Sequence, residues 1–298
     1  MNKPIDVTPA RLRDLALPAL DADDDKDARG RVLLVGGCAE NPGGLLLAAE
    51  AAIRAGAGKL QMATVHAISV AVAIAVPEAR VFGHPGKPDG ISPRAAQAIA
   101  ERADRVNGLL IGPGLVDEDA AARLARGILR EITKPALVLD AGGLAALRED
   151  ADAVRHLDGR VVLTPHAGEM AQLLGMERDE VEADPEAAAR TAVTRFGAVV
   201  ALKGPRTIIV GPDGGAAYRY DGGGVGLATS GSGDVLGGIV TGLLARGTDP
   251  IRAAVWGVYL HGEAGNALAR RTGPVGFLAR ELAAEVPAIM HRVPDAEG

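Results

Sequence analysis

The sequence predicts an α/β protein, a three-layer α/β/α sandwich around a mainly parallel central sheet. Three observations predict it. Short, wholly apolar segments such as Val32–Val35, Leu109–Ile111 and Val161–Leu163 recur along the chain, as strands buried on both faces require. Longer amphipathic stretches lie between them, the pattern of βαβ units. Most of the apolar segments run straight into Gly, Pro, Asp or Thr, the residues of strand-exit turns.

The elements follow in order. Residues 1–30 form an approach segment with an acidic run around Asp21–Asp27. Val32–Val35 is a buried strand ended by Gly36-Gly37. Asn41-Pro42-Gly43-Gly44 is a loop, and Leu45–Ala55 a helix. Gly56 and Gly58 turn the chain into a strand at Leu60–Thr64. Helices are expected over Pro93–Asp104, Glu118–Glu131 and Pro185–Arg195. Further strands are expected at Leu109–Ile111, Leu137–Leu139, Val161–Leu163, Ala198–Leu202 and Thr207–Val210. Ala216–Tyr220 follows Val210 closely enough to suggest a hairpin and an antiparallel edge. A helix runs from the Gly231-Ser232-Gly233-Asp234 turn to Arg246, where a basic last turn and Gly247 stop it. Neither a fixed-period repeat nor a linker is evident, so residues 1–298 read as one domain.

Composition narrows the function. Hydrophobic residues make up 48% and aromatic residues 2%, so the core is built from aliphatic side chains. The formal charge of −6 argues against a nucleic-acid or anionic-membrane surface. Cys38 is the single cysteine, which excludes an internal disulfide and fits a reducing cytoplasm. The longest apolar run, around Ala67–Val76, is too short to span a bilayer, and the amino terminus lacks an apolar signal core.

In an open parallel sheet, ligands bind beyond the carboxyl ends of the strands. Sorted by that rule, the motifs gather on one rim: Gly112-Pro113-Gly114, Asp140-Ala-Gly-Gly, Thr164-Pro165-His166-Ala167-Gly168-Glu169, Lys203-Gly204-Pro205-Arg206-Thr207 and Gly231–Asp234. Each has a structural alternative. Gly112–Gly114 can be a tight turn, Asp140 and Asp234 helix caps, Glu169 a first-turn carboxylate, His166 a surface histidine and Lys203 a solvated charge. Together they read as chemistry. Glycines at a helix amino terminus let backbone amides approach a phosphate, and Lys203 and Arg206 add positive charge in an acidic chain. Asp234 beside that cradle can take a proton from a hydroxyl, as phosphoryl transfer needs positioning and charge neutralisation above all. There is no G-x-x-x-x-G-K-[ST], and Gly231–Leu236 breaks the dinucleotide G-x-G-x-x-G pattern at its third glycine; both signatures are thereby missing.

With these residues in view, the chain resembles the ribokinase-like superfamily, and within it the ADP-dependent NAD(P)H-hydrate dehydratases. The resemblance runs from about Gly30 to near Met290. It rests on Pro42-Gly43-Gly44, Arg54-Ala-Gly-Ala-Gly, Ile111-Gly-Pro-Gly-Leu115 and Val138-Leu-Asp140-Ala. Leu163-Thr-Pro-His166-Ala-Gly-Glu169, Lys203-Gly204, Gly226–Leu236 and Val258-Tyr-Leu-His-Gly262 complete it. The glycine–aspartate turn is shared with sugar and vitamin kinases; the Thr-Pro-His and Tyr-Leu-His-Gly stretches are the more specific. The resemblance implies dehydration of the S epimer of hydrated NADH or NADPH (NAD(P)HX), with ADP converted to AMP and phosphate. It implies Asp234 as the base, with Gly44, Gly114, His166 and Asp234 on the dinucleotide. Lys203, Gly204, Pro205, Arg206, Thr207, Gly231, Ser232 and Gly233 would hold the nucleotide. Mg²⁺ would be organised near Glu169 through water.

The chain departs from the family pattern at Gly44 (commonly Ala), Ala167 (commonly Pro), Val116 and the Asp221–Val225 loop. The fused epimerase domain of some members is not expected here, so an epimerase is expected on another polypeptide. Helices after Gly44 and after Pro250, rich in Ala, Leu and Val, together with the resemblance predict a homotetramer. Two alternatives stay open at this point: a ribokinase-like kinase of a small alcohol such as a vitamin precursor, and a non-catalytic nucleotide-binding protein on the same fold.

Overall fold

The structure, a computed structural model, describes residues 3–19, 23 and 25–293. In chain order the strands are β1 (Ile5–Asp6), β2 (Arg31–Val35), β3 (Lys59–Val65), β4 (Ala79–His84), β5 (Gly86–Lys87), β6 (Gly90–Ile91), β7 (Gly108–Ile111), β8 (Ala136–Leu139), β9 (Val161–Leu163), β10 (Val199–Leu202), β11 (Thr207–Val210) and β12 (Tyr218–Tyr220). The helices are α1 (Pro9–Asp14), α2 (Gly43–Arg54), α3 (His66–Ala75), α4 (Ala96–Ala103), α5 (Glu118–Leu129), α6 (Ala146–Glu149), α7 (Ala167–Leu174), α8 (Arg178–Ala183), α9 (Pro185–Phe196), α10 (Ser232–Ala245), α11 (Pro250–Thr272) and α12 (Ala279–Arg292).

Ten strands form one sheet in the order β1-β12-β11-β10-β9-β8-β7-β2-β3-β4. From β10 to β4 every pairing is parallel; β11 pairs antiparallel with β10 and with β12. The two-residue side-chain period divides each strand between two cores. Val32, Leu34, Leu110, Val138 and Val162 join the core under α2, α10, α11 and α12. Leu33, Val35, Leu109, Ile111, Leu137, Leu139, Val161 and Leu163 join the core under α4, α5, α7 and α9. Hydrophobic cover on both faces is why these strands lack polar alternation, and it makes the expected three-layer α/β/α sandwich.

Several elements differ from the sequence expectation. Ala216–Tyr220 is shorter, and β12 is covered by β1 in parallel, so the sheet ends on Ile5–Asp6. Pro93–Asp104 divides into a 3₁₀ turn, Pro93–Ala95, capped by the Ser92 hydroxyl on the Arg94 amide, and then α4. Among the elements with no counterpart in the expectation, besides short ones such as β1, α1, β5, β6, α6 and α8, are α3 and β4. The Ala67–Val76 run is most of α3, whose uniformly apolar sequence carries no 3.6-residue alternation to read. Edge strand β4 (Ala-Arg-Val-Phe-Gly-His) is only partly buried and mixes charge and glycine. Helix α11, expected to offer apolar surface to another subunit, buries Ala253, Val255, Trp256, Val258 and Leu260 inside its own chain. Exposed apolar surface lies instead on α3, where Val70 is 71% and Ile74 77% exposed.

The packing that matters most for the site is α10 on α2. Along α10, Gly238 and Gly242 sit where a Cβ would fall 2.3 Å from the Ala48 carbonyl oxygen and 2.4 Å from that of Ala52. The two backbones touch directly, and the amino termini of both helices are thereby brought together on the sheet's carboxyl rim. A buried helical glycine is ordinarily improved by alanine, by about 1 kcal/mol. Here Gly238→Ala is expected to lose about 1–3 kcal/mol through overpacking. The check is a lower urea midpoint at unchanged slope; a raised midpoint would contradict the close contact.

Candidate active site

The rim is laced together from one strand exit to the next. The Gly37 amide donates to the Pro113 carbonyl across β2 and β7 (2.8 Å), and the Lys203 amide donates to Pro165 across β10 and β9 (2.8 Å). Between them, the Thr164 hydroxyl donates to Asp140 Oδ1 at 2.8 Å, tying β9 to β8. Sequence order scatters these residues over a hundred positions; sheet order makes them neighbours. Gly114 has a left-handed φ of 69°, and a Cβ there would meet the Asn41 carbonyl at 2.3 Å. That position therefore needs glycine for both turn and contact.

Asp140 holds the centre. It is 2% exposed and, although it precedes the Ala141–Ala145 turn, its side chain makes no cap hydrogen bond there. Instead Asp140 Oδ1 accepts from Lys203 Nζ at 2.8 Å as well as from Thr164. Glu169 Oε2 lies 3.8 Å from the same ammonium. Burial pulls the Lys203 pKa down, but Asp140 and then Glu169 outweigh it and hold the ammonium charged. The pair sits against the first turn of α10, where a Cβ on Gly233 would be 3.2 Å from Lys203 Nζ.

Asp234 stands on that turn, the third residue of α10. The helix is capped by Gly231 (φ 86°) without any side-chain cap bond, so the capping alternative for Asp234 does not hold. The amides of the first turn have no intrahelical acceptors, and those of Gly233 and Asp234 lie at this rim. Burial first, then the carboxylate of Asp140, push the Asp234 pKa up, while Lys203 opposes them; the result is about 7. A carboxylate balanced near neutrality is what a general base requires. A Cβ on Gly44 would fall 3.0 Å from both Asp234 carboxylate oxygens and from the Gly114 amide. Gly44, Gly114 and Asp234 thus share one spot.

The remaining expected residues fall as follows. His166 caps α7: its Nδ1 accepts from the Glu169 amide at 3.1 Å, and Glu169 Oε2 accepts from the His166 amide at 2.8 Å. The His166 side chain is still 60% exposed and lines, with Val116 and Glu169, a cavity of 300 Å³ beside the rim. Gly204, Pro205 and Arg206 are exposed on the β10–β11 turn, with Thr207 opening β11. Arg206 turns toward Asp221, 3.5 Å away, and not toward Asp140. Ser232 is buried, and its Oγ meets His261 Nε2 at 2.9 Å. The part played by Asp140 and Thr164 in seating Lys203 was not readable from the sequence. The only signal was their position directly after apolar strands, and adjacency of β8, β9 and β10 turns that signal into contact.

Among the described residues no three His, Cys, Asp or Glu side chains form a metal cage. Mg²⁺ commonly keeps its waters and takes one or two carboxylates together with substrate phosphates. Glu169 fits that mode, with Oε2 on the His166 amide and Oε1 3.6 Å from His166 Nε2.

A carboxylate at the head of a late helix, seated among glycines on the carboxyl rim of this sheet, defines a ribokinase-like α/β protein. The fold agrees with that of a ribokinase-like superfamily protein from Enterococcus faecalis V583 (TM-score 0.83, 26% identity, 98% of this chain and 96% of that one). It also agrees with the ADP/ATP-dependent NAD(P)H-hydrate dehydratase of Bacillus subtilis co-crystallised with ATP and Mg²⁺ (TM-score 0.81, 28% identity, 99% and 100%). Over 289 residues the chain is 45% identical to the ADP-dependent (S)-NAD(P)H-hydrate dehydratase of Xanthomonas campestris pv. campestris, covering 97% of this chain and 96% of the relative. Residues 32–288 match the NAD(P)H-hydrate dehydratase family. The chain belongs to that family.

The raised Asp234 pKa carries a stability consequence of definite sign. A carboxyl whose folded pKa lies above its unfolded one contributes stability at low pH that is lost as pH rises through the folded value, about 7. Asp234→Asn is therefore expected to melt with wild type near pH 4 and above it at pH 8. Equal melting at both pH values would show that burial does not raise this group.

Proposed function

We propose that this protein catalyses the ADP-dependent dehydration of the S epimer of hydrated NADH or NADPH, yielding NADH or NADPH with AMP and phosphate. The observation that carries the reading is the Asp234 carboxylate, its pKa at about 7, set between the Gly44–Gly114 contact and the Gly233–Lys203 contact. A base there faces a substrate hydroxyl on one side and a phosphate cradle on the other.

In this reading Asp234 accepts the proton of the C6 hydroxyl as that oxygen attacks the β-phosphorus of ADP, and AMP departs. Phosphorylation turns a poor leaving group into a good one. The ring nitrogen's electron pair then expels phosphate by breaking the C6–O bond, and loss of the C5 proton restores the C5=C6 double bond. Lys203 spends one N–H on Asp140, and two remain for phosphate oxygens. The Gly233 and Asp234 amides add a fixed positive end, and Arg206 and the Gly204–Thr207 turn frame the nucleotide. Mg²⁺, when bound with the nucleotide, supplies charge neutralisation, with Glu169 reaching it through water. His166, at the mouth of the 300 Å³ cavity, suits the dinucleotide.

A cytoplasmic location suits these substrates, and no described helix is long and apolar enough to cross a membrane. A separate epimerase is the expected functional partner, since only one epimer is consumed. A homotetramer also belongs to this proposal. Its support is the exposed Val70 and Ile74 on α3, next to a 1140 Å³ groove of mixed lining in which Leu46, Leu47 and Ile53 alternate with Glu50 and Arg54. Apolar surface of this kind is normally covered.

Incubation with hydrated NADH and ADP should restore absorbance at 340 nm and release AMP; a kinase of a small alcohol would restore none. Wild-type kcat/KM should rise with pH through about 7, as the base loses its proton. Asp234→Asn should lower turnover by about 10²–10⁴-fold, and near-normal turnover would refute the mechanism. By calorimetry Lys203→Ala should lose ADP affinity by about tenfold or more, and it should melt lower because Asp140 is left buried without its ammonium. Unchanged ADP affinity would remove Lys203 from the nucleotide site. Light scattering at micromolar concentration should give four times the chain mass, and Ile74→Glu should shift it toward monomer; a monomeric wild type would reject the assembly.

A further inference from the structure

The Val258-Tyr259-Leu260-His261-Gly262 stretch has no role in the chemistry above, yet it lies directly behind the catalytic turn. His261 Nε2 is 2.9 Å from the hydroxyl of Ser232, the first residue of α10. Ser232 is 5% exposed, and its amide donates to the Thr229 carbonyl at 3.2 Å. Both its hydroxyl and its amide are thus engaged inside the chain, and the amides of the next two residues are left to face the rim. Burial holds the imidazole neutral, with Lys203 acting in the same direction and a backbone contact at Ser232 against it, and its pKa is pushed down to about 4. A neutral ring can meet the hydroxyl in either tautomer.

The neighbours of His261 on α11 hold the chain that leads into the turn. Glu263 Oε1 accepts from the Tyr220 hydroxyl at 2.8 Å and from Asn266 Nδ2 at 2.9 Å. Asn266 Oδ1 accepts from the Gly223 amide at 3.1 Å. Gly262 permits the approach, since a Cβ there would fall 2.1 Å from the Tyr220 ring. The held segment is glycine-rich, with Gly222, Gly223, Gly224, Gly226, Gly231 and Gly233 within twelve residues. Such a segment has much backbone freedom to lose, and a site works only when its groups are fixed before substrate arrives.

We infer that His261 is a positioning residue: through the Ser232 hydroxyl it locks the first turn of α10, so that the Gly233 and Asp234 amides and the Asp234 carboxylate stand in place for ADP and substrate. The inference rests on reading that turn as the nucleotide cradle. The test is a double-mutant cycle of His261→Leu and Ser232→Ala, with His261→Gln as the conservative replacement, because a glutamine amide can reach where Nε2 stands. Each single variant should lower kcat/KM for ADP by about tenfold, the size of one lost hydrogen bond. The double variant should lose no more than either single one, and His261→Gln should recover to within about threefold of wild type. A double loss of about a hundredfold, or His261→Gln no better than His261→Leu, would reduce His261 to packing volume and overturn the inference. Should His261→Leu fail to fold, Ser232→Ala decides alone: a loss near tenfold supports the lock, and a loss under about twofold overturns it. A wild type that restores no absorbance at 340 nm overturns the proposed reaction and not this contact; the same cycle is then read in calorimetric ADP affinity. A wild type that binds no ADP overturns the inference.

Discussion

The site depends on one ion pair, that of a part-buried Lys203 Nζ on the buried Asp140 Oδ1 at 2.8 Å. Such pairs seldom add net stability, because removing both charges from water costs about what their attraction returns. What this one contributes is placement. Asp140 is fixed by the Thr164 hydroxyl, so it holds the ammonium against the first turn of α10, where a Cβ at 233 would stand 3.2 Å from Nζ. The same two charges act on Asp234. Burial and then Asp140 raise the Asp234 pKa and Lys203 restrains it, so the carboxyl stands near neutrality.

Small residues carry that arrangement outward. The direct backbone contact of α10 with α2 at Gly238 and Gly242 sets the distance between Gly44 and Asp234. At Gly44 the geometry shows what the missing side chain does. It leaves the Asp234 carboxylate 3.0 Å of clearance from a Cβ that is not there. On the other side, α11 gives up side-chain volume at Gly262 to bring its polar face against the Tyr220–Asp234 segment. The geometry of this rim is set by where side chains are missing as much as by where they are present.

The strand-exit rule brought most of the site within reach of sequence reasoning. Asp140, His166, Glu169, Lys203 and Asp234 each follow an apolar strand or open a helix, and each stands on the rim where that placement puts it. What misled was local pattern where the environment is uniform or mixed. The run in α3 is apolar on every side, so no period marks it as a helix, and β4 is an edge strand whose half-exposed residues blur the strand signal. Helix α11 read as surface for a partner because its apolar residues outnumber what one face needs. In fact it is buried on several sides by α10, α12 and the sheet.

The sequence by itself determined the class of the fold, since apolar strands without alternation can be satisfied only between two helical layers. It also determined the residue types of the candidate site: a glycine-flanked aspartate at a helix start, a lysine after a strand, and a histidine and glutamate three residues apart. The tertiary structure decided the pairings. Asp140 lies sixty-three positions from Lys203, and only the order β8-β9-β10 in the sheet makes them partners. The tertiary structure also decided that Ser232 belongs to His261, that Arg206 turns toward Asp221, and that Asp234 is raised toward neutrality. Each of these depends on distance and dielectric between segments remote in sequence, and those quantities do not exist until the chain has folded.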